Sequence, residues 1–431
     1  MDCPHQQEVG VTVLPTLGLV GAVAARLANP GTAPSVLQTR RQHLAYGPPG
    51  IALLHIERAA NGLGPWQHAH GWLAAASHGF LTSGPDSHPF YGVPAFAHAL
   101  ACAADHLPDS YQRALGAMDR QIEIDVRRRL DAAHRRIDSR CLPQLAEYDT
   151  IRGLTGYGAY LLRRNSGSPV VRAVLDYCVR LTEPIRQAGE DLPGWWTATG
   201  PSGSPDERFP GGHANTGTAH GIAGVLALLA LAARKGTVTD GHLRALRTIL
   251  TWLDCWQQEA GRGSTWPYWV TRSELRTGRR AASKLRRPSW CYGTAGLARA
   301  QQLAALATSD IERQITAESV LAAALTDPDQ LGATTDHGLC HGFAGLAHIA
   351  GRTAADAHPS TAGRLRAAIP GLLAAVCPVD RDLERAATAL VSGTGAGPGL
   401  LDGAAGVALA LLAADTAAPP QSAWDSCLLI A

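Results

Sequence analysis

Apolar residues along this chain gather in short, alanine-rich stretches that open on a glycine, with a second glycine three residues later. The copies are GPPGIALLHI at Gly47, GLTGYGAYLL at Gly153, GIAGVLALLA at Gly221, GTAGLARAQQ at Gly293, GFAGLAHIAG at Gly342 and GAAGVALALL at Gly403. A degenerate copy, YGVPAFAHAL, sits at Gly92. Each predicts an inner helix that begins at its first glycine. The stretches between copies, among them His242 to Glu259, Ile311 to Asp327 and Arg364 to Cys377, carry apolar residues at three-to-four spacing and predict amphipathic outer helices. Alternating β-branched runs are scarce, so the predicted class is all-α.

Seven such starts suggest helical hairpins closed into one ring, an α/α toroid over residues 1–431, with the inner-helix N-termini gathered at one end. An open solenoid of helical pairs also fits the repeats. Aligning the copies puts Tyr46, Tyr91, Arg152, His220, Tyr292, His341 and Asp402 just before the first glycine. Ala45, Phe90, Ile151, Ala219, Cys291, Cys340 and Leu401 fall one position earlier. If the copies are equivalent, these residues ring the mouth of the toroid, which makes it the candidate active site.

Composition narrows the classes. Of 431 residues, 46% are hydrophobic and 17% charged, which fits a globular chain and excludes a disordered one. A formal net charge of +2 gives no global field for nucleic acid or anionic membrane. The apolar runs, such as Gly221 to Ala233, are too short to span a bilayer. Gly10 to Ala25 is uncharged, but Asp2 and Glu8 precede it without any Lys or Arg, and Pro15 interrupts it. It therefore reads as a core helix of a cytoplasmic protein and not as a signal peptide. Nine cysteines, an odd number, are spread along the chain, which favours reduced thiols, some of them metal-bound, over a disulfide framework.

Cys291, in SWCYGTAG, and Cys340 with His341, in LCHGFAG, hold ring positions in adjacent repeats. Two thiolates and an imidazole suit zinc, and three protein ligands leave a fourth position open for chemistry. Buried cysteines acting as small hydrophobes and a satisfied core histidine are the plainer reading.

The segments NTGTAHGIAG around His220, RPSWCYGTAG around Cys291, LCHGFAG around Cys340 and His341, and EYDTIRGLTG around Asp149 resemble the lanthionine synthetase C-like family. The resemblance runs from about Gly47 to Leu411. It implies a double ring of helices and one zinc ion on Cys291, Cys340 and His341. It also implies a stand-alone lanthipeptide cyclase that adds cysteine thiols of a dehydrated, leader-bearing precursor peptide to dehydroalanine or dehydrobutyrine. A dehydratase and an exporter are the implied partners. In this reading His220 is the acid that protonates the α-carbon and Asp149 orients it, while Arg287 and Tyr292 stabilise the enolate oxygen. Taken alone, Asp149 would be an N-cap, and Arg287 and Tyr292 a surface arginine and a packed tyrosine. His213, Trp290 and Asp402 lie near these motifs without an assigned role.

Ala104 to Glu147 reads as helical, so the SH2-like insertion of some family members is not expected. The loop Pro193 to Asn215 either contacts the peptide or packs on the toroid. Arg272 to Arg287 has seven basic residues against one acid, and either attracts an acidic leader or is a solvated loop. A glutathione-binding relative and a zinc-stabilised scaffold without catalysis are the competing functions.

Overall fold

The computed structural model describes residues 16–32, 36–260, 263–279, 287–377, 382–393 and 397–431. Seven inner helices start at the repeat glycines: Pro48–Ala60, Val93–Ala104, Leu154–Arg164, Ile222–Arg234, Thr294–Thr308, Phe343–Asp356 and Ala404–Thr416. Each touches the next in chain order and the last touches the first, so the ring closes and the open solenoid is excluded. Outside them pack Trp66–Ser77, Gln112–Asp138, Pro169–Leu181, His242–Trp256, Ile311–Ala324 and Pro359–Val376, each against the inner helix that precedes it. The last inner helix is covered by Thr16–Arg26 and Leu383–Ser392, so the start of the chain completes its end. The fold is an α/α toroid.

Sequence explains the two layers. In Ile222–Arg234 nearly every residue is buried, because the helix is enclosed on all sides and can be apolar all round. In His242–Trp256 the buried set is His242, Ala245, Leu246, Ile249, Leu250, Leu253 and Trp256, a single stripe. Expected bounds hold to within a turn, except that residues 258–260 form a strand and Pro359–Val376 starts five residues before Arg364. Of the uncharged segment from Gly10 to Ala25, residues 10–15 lie outside the described ones, and the rest forms the helix Thr16–Arg26.

The turns that precede the inner helices are joined by main-chain hydrogen bonds. Leu44 N donates to Phe90 O (3.0 Å), Thr150 N to Ala219 O (3.0 Å), and Thr218 N and Ala219 N to Cys291 O (3.0 and 3.3 Å). Trp290 N and Cys291 N donate to Cys340 O (3.1 and 3.3 Å), and Cys340 N to Leu401 O (2.8 Å). Leu400 N and Leu401 N then donate to Ala45 O (2.7 and 3.2 Å), which closes the circle. Every acceptor stands two residues before a repeat glycine. The one remaining step, out of the degenerate Gly92 copy, is made by a side chain: His88 Nδ1 donates to Ile151 O at 3.0 Å.

These turns explain the second glycine of the motif. A Cβ on Gly50, Gly156, Gly224, Gly296, Gly345 or Gly406 would lie 2.2, 2.0, 2.5, 2.2, 2.0 or 1.7 Å from the carbonyl oxygen three residues before the first glycine. Such a contact is far inside van der Waals range. Among the first glycines, only Gly92 and Gly293 have positive φ, at 76° and 117°.

Inside the ring lies the segment Gln421–Ala431. Side chains from five inner helices hold it: Glu57 accepts from Gln421 N and Ser422 N, Arg163 donates to Ser422 O, and His98 to Trp424 O. His348 binds Asp425, and Arg299 Nε donates to Ile430 O. Trp290 Nε1 donates to Leu428 O at 2.9 Å, which ties this segment to the turn carrying Cys291.

Gly406→Ala is expected to cost about 1–3 kcal/mol through overpacking on Leu400 O. Gly363→Ala, on an exposed helical face with nothing within 4 Å of the new Cβ, should gain about 0.5–1 kcal/mol. Urea unfolding of the two variants beside the parent checks both signs.

Candidate active site

Cys340, His341 and Asp402 come together at the mouth of the toroid: one sulfur, one ring nitrogen and one carboxylate oxygen lie within 4.8 Å of one another. The turn before Gly342 supplies the first two and the turn before Gly403 the third. Cys291 lies against Cys340, with which it shares a thiol hydrogen bond, but stands outside that compact group. This bond from Cys340 lowers the Cys291 thiol to about 6, helped by Ser289, whose Oγ is 3.8 Å from the sulfur, and by the charges of His341 and Arg287. Cys340, the donor, is pushed up in return.

His341 is held from behind. Its Nδ1 is 2.7 Å from Asp336 Oδ2, which raises the imidazole and leaves Nε2 facing the cluster. Burial pulls the Asp336 carboxyl upward, but the bond and charge of His341, the Gly338 N–H and the Arg287 charge together outweigh it and the net shift is downward. Arg287 NH1 is 3.7 Å from the same oxygen. Asp402 Oδ1 is 3.4 Å from His341 Nε2, buried and without a hydrogen-bond partner. Two adjacent thiols, an imidazole backed by a carboxylate and an orphaned carboxylate oxygen form a donor set that fits a zinc ion.

A second carboxylate–imidazole pair stands in the same mouth. His220 Nδ1 is 2.6 Å from Asp149 Oδ2, while Asp149 Oδ1 accepts from Arg152 N and Gly153 N at 2.6 and 2.9 Å. Asp149 thus caps its turn and orients His220 at once. The Asp149 side chain is 2% exposed and that of His220 33%, so the pair is anchored inside and open at the imidazole. The Tyr292 ring lies 6.2 Å from His220, and its phenol feels the charges of both Cys291 and Asp149. Burial pushes its phenol up to about 12, and its oxygen accepts from Asn215 Nδ2 at 3.3 Å. Tyr268 Oη donates to Arg287 O at 3.2 Å and steadies the strand of chain leading to Cys291.

All seven residues expected at the site from the sequence reach this mouth. Sequence reasoning missed Asp336 and Asn215, which belong to no repeat position, and gave Asp402 no role although its register was visible. Trp290 and His213 are structural: His213 Nδ1 bonds Thr199 O at 2.8 Å, and burial lowers the imidazole to about 4. The two ends of the loop Pro193–Asn215 pack inward, while most of residues 202–211 are exposed. Trp196–Thr197, His213–Asn215 and Trp269–Thr271 form a three-stranded antiparallel sheet, and Trp195 and Trp196 are fully buried. In the basic segment Arg272 and Arg276 both pair with Glu190, at 2.6 and 2.5 Å, while residues 280–286 lie outside the described ones.

Comparison with known proteins shows the family and the fold. Residues 39–429 match the model of a family described as lanthionine synthetase C-like protein. The chain belongs to the lanthionine synthetase C-like family. It is 28% identical over 245 residues to the nisin biosynthesis protein NisC of Lactococcus lactis subsp. lactis, an alignment covering 56% of each. The chain therefore spans a little over half the length of that relative. A solved structure of nisin cyclase superposes with a TM-score of 0.75 at 21% identity, covering 96% of both chains, and shares the fold. Among the described residues of this lanthionine synthetase C-like chain, no helix is long and apolar enough to cross a membrane.

Zn2+ added in competition with a chromophoric chelator is expected to bind at about one ion per chain. Asp336→Ala should weaken that binding by about 10–100-fold, the usual effect of removing a carboxylate behind a histidine ligand.

Proposed function

We propose that this chain is a zinc-dependent lanthipeptide cyclase. It joins a cysteine thiol of a dehydrated precursor peptide to the β-carbon of a dehydroalanine or dehydrobutyrine, giving a lanthionine or methyllanthionine ring. The observation that carries the reading is the presence, in one mouth, of two carboxylate–imidazole pairs with different company. One lies beside the two thiols, and the other leaves its imidazole a third exposed beside Tyr292. Family membership supports the same reading.

Cys291, Cys340 and His341 would hold the ion. Zinc bound there favours the thiolate form of a substrate cysteine, whose free thiol is mostly protonated at neutral pH. The S–Cβ bond forms as the alkene pair moves toward the carbonyl, so charge develops on the enolate oxygen and a proton must reach Cα. Asp149 fixes His220 through Nδ1 and directs Nε2 to deliver that proton. Because Tyr292 accepts from Asn215 and stays protonated, its O–H is free to donate to the enolate oxygen, with the Arg287 charge on the same side. Asp336 and Ser289 act one step back, holding His341 and Cys291.

This reading takes the described ring and its flanks as one domain, working in the cytoplasm on a leader-bearing peptide beside a dehydratase and an exporter. Asp402 favours a second reading, in which it is a fourth ligand and the ion only staples the turns. Against that scaffold, His341, Asp402 and His220 all remain 25–33% exposed, whereas structural zinc sites are closed. A scaffold also gives the Asp149–His220 pair nothing to do.

The test is incubation with dehydrated peptides, thiol alkylation and mass spectrometry. His220→Asn should keep zinc and lose ring closure by about 10²–10⁴-fold, whereas Asp402→Asn should keep its zinc. Loss of zinc in Asp402→Asn together with no ring closure by the parent would favour the scaffold, whereas full closure in His220→Asn would reassign the acid.

A further inference from the structure

Three consecutive mouth positions, His220, Tyr292 and His341, carry the proposed chemistry, and Asp402 follows them. The other arc holds Tyr46, Tyr91 and Arg152, and nothing above uses it. Its two arginines, Arg40 and Arg152, are both exposed and appear in no ion pair among the described residues, although twenty such pairs occur elsewhere. Neither nearby carboxylate pairs with them, although the Asp402 charge reaches Tyr46. Asp149 holds His220 and two main-chain N–H groups, and Asp402 faces His341.

The two guanidinium groups bear on one place. Arg40 stacks on the Tyr46 ring at 5.5 Å, and His43 lies 6.1 Å from Tyr46 and 4.6 Å from Tyr91. Burial lowers His43, and the charges of Arg40 and Arg152 lower it further, so both cations reach the same imidazole. Tyr46 is 39% exposed, and its hydroxyl has no hydrogen-bond partner among the described residues. The bonds from Leu400 N and Leu401 N to Ala45 O set Tyr46 beside the Asp402 turn, where a Cβ on Gly399 would meet the Tyr46 Cα at 2.7 Å. Cations without an ion pair, beside an exposed phenol on the rim of a site, match the planar and hydrogen-bonding demands of a carboxylate.

We propose that Arg40, Tyr46 and Arg152 form a subsite for an acidic side chain of the precursor peptide, near the cysteine that enters the metal site. The proposal rests on the cyclase reading for the identity of its ligand. The subsite selects which segment of the peptide settles over the mouth, and it takes no part in bond formation.

The test uses zinc-loaded protein and two fluorescein-labelled peptides, each with one Cys and, two residues away, either Glu or Gln. Anisotropy should show the Glu peptide binding about tenfold tighter than its Gln twin, the scale of one charge-assisted contact, with the difference shrinking at high salt. R40Q/R152Q should abolish the difference with zinc content unchanged, and R40K/R152K should restore part of it. On a dehydrated substrate with that Glu, R40Q/R152Q should raise KM about tenfold and leave kcat unaltered. Persistent discrimination in R40Q/R152Q, equal loss for both peptides, or tighter binding of glutathione than of the Glu peptide would overturn the subsite. If the parent closes no ring yet still separates the Glu and Gln peptides, the cyclase reading fails and the subsite stands.

Discussion

A circle of main-chain hydrogen bonds holds this molecule's chemistry in place. Six of the seven turns before the inner helices offer a carbonyl to the amides of a neighbour, Ile151 O takes the His88 side chain instead, and the last link, from residues 400 and 401 to Ala45, returns to the first turn. Individually such bonds are modest, about 1 kcal/mol net, and costly if left unmade in a buried setting. Collectively they fix the relative height of seven helix starts. The carbonyls of Cys291 and Cys340 are themselves links in this circle, so the backbone that positions both thiols is shared with the backbone that closes the ring. An open stack of helical pairs would leave terminal repeats to fray on their own. Here every turn has neighbours on both sides.

The two histidines show how one device serves two ends. Both are gripped at Nδ1 by a buried or half-buried aspartate, which sets tautomer and direction. What differs is the company of the other nitrogen. His341 Nε2 faces sulfur and a carboxylate oxygen, a setting for a metal, and His220 stands outside that group beside an aromatic ring. Tyr292 keeps its proton because it is buried.

Much of this was legible because the repeat is a ruler. Once the glycines were aligned, the positions one and two residues earlier named His220, Tyr292, Cys291, Cys340 and His341 without any structure. The ruler fails off its own marks. Asp336 precedes His341 by five residues in an irregular turn, and Asn215 lies on a short strand, so neither has a periodic signature. The physical role of the motif was also only half visible. Left-handed backbone explains Gly92 and Gly293 alone, and the recurrent demand is the second glycine's approach to its own turn's carbonyl. The degenerate copy at Gly92, with Ala95 in that place, is also where a His88 side chain replaces the main-chain link. The small sheets were missed because two- and three-residue strands carry no alternation to read. Expectations for the loop at 193–215 divided evenly, and the structure buries its two tryptophans while leaving most of residues 202–211 exposed.

The segment inside the ring has a bearing on how the protein is made. Ser422 meets Glu57 across 365 positions of chain, and Trp290 reaches Leu428 across 138. Contacts this distant in sequence form slowly, because their closure entropy must be met before they reward the chain. On a ribosome, the turn carrying Cys291 would emerge long before the backbone oxygen that anchors its neighbouring indole. The thiol pair is therefore a late product of folding: it reaches its final setting only after synthesis has passed Leu428.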